Sequence, residues 1–245
     1  MALLGAHQIL LAFLITDAFA FLAWKIRGVS ISGAIAGGFI CFILILGNGI
    51  AAFAGLVTVF VLAWASTRVG YRKKLQLGTA EKKTGRKASQ VFANLSVAAG
   101  CALLHLVRPK FLFHGNEMFS LGMVAAFSEA AADTVSSELG QLQNHARLIT
   151  TCQKVPAGTD GGVSPSGTLA GISAAILVSV VCFVLQLVSV HGAVLAAAAA
   201  MIGMLADSLL GALFERRRLL NNDAVNFLGT LSATSLAIIY ASFYK

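Results

Sequence analysis

Charged residues are scarce in this chain. Asp, Glu, Lys and Arg make up 11% of its 245 residues, whereas hydrophobic residues make up 58% and the mean hydropathy is +0.83. A soluble domain carries about 25% charged residues. A water-soluble core could not hide this much apolar surface, so the composition excludes a soluble globular fold. It predicts a protein whose solvent is the lipid bilayer.

Acidic residues are fewer than basic residues, and the cysteines form no metal-binding or disulfide pattern. The chain has 10 Asp and Glu against 18 Lys and Arg, for a net charge of +8. These basic residues lie in short loops, where they set membrane topology and meet anionic lipid headgroups. We therefore expect membrane lipids, and no nucleic acid, as partners. The four cysteines are scattered with no CxxC pair, which excludes a disulfide framework or a cysteine metal site.

Apolar runs of about 20 residues mark helices that can cross the hydrocarbon core of a bilayer. The sequence predicts an all-α fold: a polytopic transmembrane bundle of about eight helices in one domain, 1–245. The first run reads as a retained helix, not a cleaved signal peptide. Gly47-Asn48-Gly49 predicts a tight turn between the second and third runs, and the region around His191-Gly192 separates the sixth and seventh. The predicted helices are Leu3–Trp24, Val29–Leu46, Ile50–Thr67, Ser89–Val107, Met118–Leu139, Gly167–Val190, Ala193–Phe214 and Ala224–Phe243.

The basic residues orient this bundle. With the N-terminus outside, 15 of the 18 basic residues fall on one face, eight of them in the loop Arg68–Lys87. Such a bias indicates the cytoplasmic side. It predicts an even number of helices with both termini outside, and two cytoplasmic loops: a basic one at 68–88 and one rich in Gly, Ser and Thr at 140–167. The basic loop anchors the topology, and it could also attract a polyphosphate substrate.

Carboxylates inside apolar helices need a reason, because each costs about 2.5–3.5 kcal/mol at the bilayer centre. Glu129 and Asp133 are four residues apart and share a helix face, and Glu138 follows near the end of the same helix. Asp207-Ser208 in the seventh helix resembles Asp133-Thr134, which suggests a weak internal repeat. Carboxylates placed in this way repel unless a cation or a proton relieves them. Mg²⁺ shared with substrate phosphates would do so.

Two further polar segments accompany the carboxylates. Glycines and hydroxyls from Gly158 to Thr168 precede the sixth helix, where free N–H groups can bind an anion, although the Walker A pattern is absent. The eighth helix begins at Asn222-Asp223, both possible N-caps, with Asn226 one turn later. Asn94 in the fourth helix is a counterpart of Asn226. Every one of these groups lies at the cytoplasmic end of its helix, which predicts a single polar pocket open to the cytoplasm.

These motifs resemble those of an integral membrane family that was long catalogued as a domain of unknown function and that includes the plant phytyl-phosphate kinase of the vitamin E pathway. The resemblance extends from about Gly28 to Thr230. The motifs that carry it are Glu129-Ala-Ala-Ala-Asp133-Thr134 with Ser137-Glu138-Leu-Gly140, Pro156-x-Gly158-Thr159-Asp160-Gly161-Gly162-Val-Ser164 with Gly167-Thr168, Asp207-Ser208-Leu-Leu-Gly211, and Asn222-Asp223-x-x-Asn226-x-x-Gly229-Thr230.

The resemblance implies a kinase that converts an isoprenoid or phytyl-type monophosphate to its diphosphate, with Mg²⁺ and a nucleoside triphosphate, CTP being the usual candidate. It implies a protein of the bacterial plasma membrane with its active site toward the cytoplasm. On this hypothesis Asp133 and Asp207 hold the metal, Glu129 or Glu138 assists, and Lys154 joins the acids in catalysis. The expected binding residues for phosphates, nucleotide and metal-bound water are Arg86, Lys87, Asn94, Glu138, Gly158, Thr159, Asp160, Gly161, Gly162, Ser164, Gly167, Thr168, Asn222, Asp223, Asn226, Gly229 and Thr230.

Two other functions fit the same residues. A CTP-dependent cytidylyltransferase acting on a lipid phosphate would need the same pocket, metal and basic loop, but it would release pyrophosphate where a kinase releases CDP. A transporter would also place polar residues within a bundle of helices. The polar groups here cluster at one face, however, and the other halves of the helices are almost wholly apolar.

Overall fold

The computed structural model describes residues 5–107, 117–143 and 145–243. Helices dominate it, as the sequence predicts. They are α1 (Ala6–Lys25), α2 (Ile31–Arg68), α3 (Tyr71–Leu77), α4 (Ala88–Val107), α5 (Met118–Gly140), α6 (Pro165–Val184), α7 (Val190–Leu210) and α8 (Asn222–Phe243), with a π-helical segment, Gly211–Glu215, continuing α7. The first residues of the predicted helix Leu3–Trp24 lie outside the described part.

The long helix α2 is a hairpin. Its 38 residues would span about 57 Å if straight, far more than the roughly 30 Å of a bilayer core. Gly49, with φ 70° and ψ −159°, breaks the helix. The second half then returns to the start of the first, because Trp64 Nε1 donates to the carbonyl oxygen of Ile26 at 3.4 Å and Arg68 donates to it at 2.6 Å. The predicted turn at Gly47–Gly49 is confirmed.

Six helices are long and apolar enough to cross a membrane: α1, α2, α4, α6, α8, and α7 with its π-helical continuation. Since α2 supplies two spans and α5 is 23 residues long, the helices account for all eight predicted segments. The predicted boundary between the sixth and seventh was wrong. Helix α6 ends at Val184, and Ser189 caps α7 by accepting from Gly192 N–H at 3.2 Å. Gly192 therefore belongs to the first turn of α7.

Helix α5 is the centre of the bundle. It packs against both its sequence neighbours α4 and α6 and against α2, α7 and α8. Small residues make this possible, since 13 consecutive residues from Ser120 to Ala132 are buried. Small side chains let membrane helices approach closely and so gain dispersion contacts. The helix that carries the predicted acids is thus the one most fully surrounded by protein.

The two loops predicted at the charged face both contain regular structure. The basic loop at 68–88 folds into the short helix α3, and the loop at 140–167 folds into a small antiparallel sheet. Its strands are β1 (His145–Leu148), β2 (Lys154–Pro156) and β3 (Gly162–Val163), in the order β2-β1-β3. The predicted all-α fold class is confirmed, and the small sheet is an addition to it. Strands this short leave no alternating apolar pattern to detect.

Contacts between the loops confirm that the predicted charged face is one face. Gly85 and Arg86, at the end of the basic loop, lie against the α1–α2 connection, and Lys74 reaches Glu138 at the end of α5. Gly158 lies against Thr79. The location of this face in the cytoplasm, with both termini outside, stays a prediction from the distribution of basic residues.

Candidate active site

The central prediction about the site concerned Asp133 of α5 and Asp207 of α7, which are 74 positions apart in the sequence. The structure brings their carboxyl groups within hydrogen-bonding reach of each other. Asp207 is buried and Asp133 is half-buried. Glu129, one turn before Asp133, is 1% exposed and close enough for its charge to act on both aspartates. Three acids from two helices therefore share one small volume.

Two glycines make room for Glu129. A Cβ atom on Gly203 of α7 would lie 2.7 Å from Glu129 Cγ, and one on Gly229 of α8 would lie 2.6 Å from Glu129 Oε1. The same atom on Gly229 would be 3.2 Å from Asp207 Oδ2. Gly229, predicted to bind substrate, instead lets the backbone of α8 lie directly against two acids. Thr230 beside it is fully buried and donates to the carbonyl oxygen of Phe227 at 2.9 Å.

Several oxygens at this centre have no partner. Within the described residues, the buried atoms Glu129 Oε1, Asp207 Oδ2 and Asn226 Oδ1 accept no hydrogen bond. A buried acceptor without a donor is costly. A divalent cation or a bound ligand with donor groups would satisfy these oxygens.

The acids suit Mg²⁺ held jointly with a substrate. In the described part of the chain, no group of three or more His, Cys, Asp or Glu side chains is arranged to hold a metal ion by itself. Mg²⁺ usually takes one or two protein carboxylates together with water and substrate phosphate oxygens. The pair Asp133 and Asp207 fits that requirement, and Glu129 supplies additional negative charge beside it. The predicted set of three metal ligands stays a prediction.

The glycine-rich loop reaches this centre through the end of α7. Gly161, at φ 73°, lies so close to the backbone of Ala212 that a Cβ atom there would be 2.6 Å from Ala212 Cα. Gly211 in turn packs against the Gly161 nitrogen. π-Helical turns often occur at functional sites, and this one carries Glu215, whose charge acts on both Asp160 and Asp133. The loop therefore packs against the segment that follows Asp207, with Asp160 close to Glu215. The predicted binding of phosphate by Gly158–Gly162 stays a prediction.

Part of the predicted phosphate cradle is occupied by the protein's own bonds. Gly167 N–H donates to Ser164 Oγ at 3.2 Å, and Thr168 N–H donates to the Ser164 carbonyl oxygen at 2.9 Å. These are the N-cap bonds of α6. A Cβ atom on Gly167 would lie 2.7 Å from the carbonyl oxygen of Ser136, so this glycine permits close packing of α5 and α6. Ser164, Gly167 and Thr168 therefore build the helix start, and Gly162 N–H is likewise bonded to Thr159 O at 2.8 Å.

The start of α8 differs from the prediction in one respect. The N-cap is Asn221, whose Oδ1 accepts from Ala224 N–H at 2.9 Å, whereas Asn222 and Asp223 were expected in that role. Because capping is done by Asn221, the Asn222 side chain can hydrogen-bond Glu215. Asp223 is half-buried nearby in the first turn. Asn222 therefore lies beside Glu215 at this end of the site.

Arg86 lies beside the carboxylates and is anchored through its backbone. Its backbone is held to the α1–α2 connection: Arg86 N–H donates to Gly28 O at 3.2 Å, and Arg86 O accepts from Ser30 N–H at 2.9 Å. Gly33 has no side chain to obstruct the Arg86 carbonyl, which lies directly over it. The guanidinium reaches Thr134 Oγ1 at 3.5 Å, and its charge acts on Asp133. A fixed cation thus stands beside the acid pair, as predicted.

Lys154 lies apart from the acids, whereas Glu138 is close enough for its charge to act on Asp133 and is also held by an ion pair. The Lys154 side chain is exposed on β2, and no contact joins it to the acids within the described residues. The Glu138 carboxylate is bound to Lys74 Nζ at 2.6 Å. Lys74 is 0% exposed and also donates to Ser66 O at 2.7 Å, while Gln141 donates to Glu138 at 3.3 Å. Glu138 therefore anchors α3 to the end of α5.

Some residues of the site were missed by sequence reasoning. Lys74 and Gln141 form the anchor around Glu138, and Glu215 joins the acids from the π-helical segment. Lys74 lies in a run of basic residues, so its sequence context does not distinguish it from exposed lysines. Only its contact with Glu138 shows that it is buried and paired. Glu215 was visible as an acid eight positions after Asp207, but the sequence does not show that the π-helical segment brings it close to Asp133 and Asp160.

Comparisons with known proteins identify the family to which the chain belongs. A family profile described as integral membrane protein DUF92 matches residues 14–234. An uncharacterised membrane protein of Methanocaldococcus jannaschii is 31% identical over 95% of this chain and 94% of its own length. Another, from Synechocystis, is 34% identical over 75% of this chain and 71% of its own. Protein VTE6 of Arabidopsis thaliana, a chloroplast protein, is 34% identical over 89% of this chain and 67% of its own.

No solved structure matches the chain at a significant level. The family match extends over most of the helical bundle and includes Glu129, Asp133 and Asp207. The resemblance drawn from the sequence motifs is confirmed. The chain belongs to the integral membrane family DUF92.

Proposed function

We propose that this chain is a membrane kinase that transfers a phosphoryl group from a nucleoside triphosphate, CTP or similar, to an isoprenoid or phytyl-type monophosphate, giving the diphosphate. The observation that carries the proposal is the position of the Asp133–Asp207 pair. Arg86 lies close to Asp133, and Glu215, on the segment that packs against the glycine-rich loop, lies close to both aspartates. The relationship to VTE6 points to an enzyme of prenyl lipid metabolism.

The two sides of the acid pair suit two different substrates. Loop Gly158–Gly162, the π-helical segment and Asn222 form a polar side reached through the loops, which suits a soluble nucleotide. On the other side, Arg86 and Asn94 border a cavity between helices that is mostly lined by apolar side chains. That side suits a lipid. Transfer between them would occur at the acids.

The chemistry needs no protein nucleophile. The acceptor is a phosphate that is already ionised at neutral pH, so a strong general base is unnecessary. Phosphoryl transfer depends mainly on positioning and on neutralising charge. Mg²⁺ bound by Asp133 and Asp207 would supply that neutralisation on the phosphate oxygens. Arg86 orients the acceptor phosphate, and the packing of α5, α7 and α8 around Glu129 holds the acids in place.

We place this site at the cytoplasmic face of the plasma membrane, where the nucleotide is available. The bias of basic residues toward this face supports that orientation. Substrate lipids partition into the leaflet with their phosphate at the surface, so both substrates meet at this face.

The test is transfer of labelled phosphate from CTP or ATP to a panel of isoprenoid monophosphates by the purified protein in lipid. Asp133→Asn and Asp207→Asn should each lower the rate at least about 100-fold, as loss of a key electrostatic group does. Asp17→Asn is the matched control, because Asp17 is exposed on α1. Wild-type rates in both Asn variants would overturn the metal assignment. Release of pyrophosphate instead of CDP would identify a cytidylyltransferase.

A further inference from the structure

A cavity of ≈ 320 Å³ lies among α1, α2, α4 and α5 on the charged half of the bundle. Its walls are mainly apolar and include Phe19, Ala23, Leu56, Phe60 and Leu95. Volumes of about 300–1,000 Å³ are usual for small-molecule sites. We propose that this cavity binds the hydrocarbon tail of the acceptor, a single-chain lipid monophosphate. This proposal deepens the proposed function and rests on it for the reaction that follows binding.

Charge at one end of the cavity fits a phosphate headgroup. Five basic residues and one acid, Glu81, line it: the basic residues are Arg27, Arg68, Lys82, Lys83 and Arg86. Glu81 is bonded to Gln90 at 3.0 Å. An apolar pocket with a strongly cationic mouth is complementary to an anionic lipid.

Arg86 decides where the phosphate lies. Arg68 is already bonded to Ile26 O and stacked at 4.2 Å over the Trp64 ring, so it serves the helix hairpin. Arg86, in contrast, has only the long 3.5 Å contact to Thr134 Oγ1 among the side-chain bonds described. Thr134 lines the cavity and directly follows Asp133. A phosphate bound by Arg86 is therefore delivered to the acid pair.

The cavity is bordered by a helix with little support. Helix α1 packs mainly against α2, with no comparable packing against α4 in the described part of the chain. Residues of α1 and α4 nevertheless line the same cavity. A lipid can enter from the bilayer between these two helices. The volume is near the lower end for ligand sites, which favours one chain over the two acyl chains of a phosphatidate.

Gly37 of α2 provides a way to fill this space selectively. It lines the cavity, and a Cβ atom there would meet only Val91 Cγ1, at 3.9 Å, which is ordinary van der Waals contact. A larger side chain at this position would extend into the cavity without striking the backbone. Gly100 of α4 is the matched control, since it is exposed and a Cβ atom there would have nothing within 4 Å.

The experiment uses the full chain in lipid with a diazirine analogue of phytyl monophosphate, and it reads labelling separately from transfer. Mapped labels in the wild type should fall on α1, α2 and α4 around the cavity. Gly37→Phe should lower labelling and kcat/KM for phytyl monophosphate by about 10-fold or more, with Gly100→Phe unchanged. Transfer to dimethylallyl monophosphate, a single isoprene unit, should fall less in Gly37→Phe than transfer to phytyl monophosphate, because the shorter tail fills less of the cavity.

The outcomes separate the two proposals. Labels outside the cavity, or equal labelling of wild type and Gly37→Phe, would overturn the cavity assignment even if the kinase activity is real. Labelling that depends on Gly37, with no transfer to any acceptor by the wild type, would support the cavity and overturn the proposed kinase. Should Gly37→Phe lose the native melting temperature, Gly37→Leu replaces it, and the label map of the wild type tests the site without any variant.

Discussion

The buried ion pair between Lys74 and Glu138 allows a quantitative test of how the charged face is held together. Lys74 is 0% exposed, and its ammonium makes its charged contact with Glu138 at 2.6 Å. Lys74→Met would leave the Glu138 carboxylate buried with only the neutral donors Thr67 and Gln141. Breaking a buried pair in this way costs about 3–5 kcal/mol.

That cost predicts a large change in melting temperature. One kcal/mol shifts the midpoint by about 2–4 °C in proteins of 150–250 residues, so Lys74→Met should melt about 6–20 °C lower. Replacing both partners, Lys74→Met with Glu138→Met, removes the unpaired charge and should restore most of the loss. The measurement is thermal unfolding of the detergent-purified protein followed by tryptophan fluorescence. Arg72→Met, an exposed neighbour on α3, should change it little.

The double variant also decides what Glu138 does. If it anchors α3 to α5, as the contacts indicate, the double variant regains stability and most of its phosphoryl transfer. A wild-type melting temperature for Lys74→Met, or a double variant as unstable as the sum of the two single changes, would refute the reasoning. A stable double variant without activity would instead return Glu138 to the substrate-binding role suggested by its motif.

Three further predictions follow from the site. Gly229→Ala places a methyl group 2.6 Å from Glu129 Oε1, and it should lower the rate of phosphoryl transfer at least about 10-fold in a folded protein. The control Gly100→Ala should leave this rate unchanged. Equal rates in the two variants would show that the close approach of α8 is unimportant. Arg86→Met should raise the KM for the lipid phosphate about 10- to 100-fold, because a hydrogen bond to a charged group contributes about that factor. The KM for the nucleotide should change little. The reverse pattern would place Arg86 on the nucleotide side. Asn221→Ala removes the N-cap of α8 and should lower the free energy of unfolding by about 1 kcal/mol, which is measured as a melting temperature lower by about 2–4 °C. Asn222→Ala should keep the cap and the melting temperature. Equal losses of stability in the two variants would contradict the assignment of Asn221 as the N-cap.

Sequence reasoning reached the architecture because the bilayer imposes simple rules. The lengths of the apolar runs located the helices, and the turn predicted at Gly47–Gly49 correctly indicated the hairpin within α2. The pairing of Asp133 with Asp207 was also predictable, since an acid inside a membrane helix needs a partner. The sequence motifs around Asp133 and Asp207 identified these two residues as candidate partners without any three-dimensional information.

Other parts depended on contacts that a sequence does not show. Glycine serves both for ligand binding and for close packing, and the sequence alone does not show that Gly167 and Gly229 lie directly against neighbouring helices. Lys154 and Lys74 are both lysines in polar segments, yet one is exposed and the other buried. The cavity among α1, α2, α4 and α5 is lined by residues from all four helices. No local sequence pattern reveals such a space.

The position of α5 has a consequence for how this protein is made. The helix carries three carboxylates, Glu129, Asp133 and Glu138. Its 23 residues are enough to cross a bilayer, but it is less apolar than the six helices that qualify as membrane spans in the described part of the chain. Each ionised group disfavours its insertion from the translocon as an isolated segment. Since α5 is enclosed by α2, α4, α6, α7 and α8, its residence in the bilayer depends on neighbours synthesised both before and after it. Insertion of α5 is therefore a cooperative step of assembly, and the same enclosure that shapes the acid centre keeps α5 in the membrane.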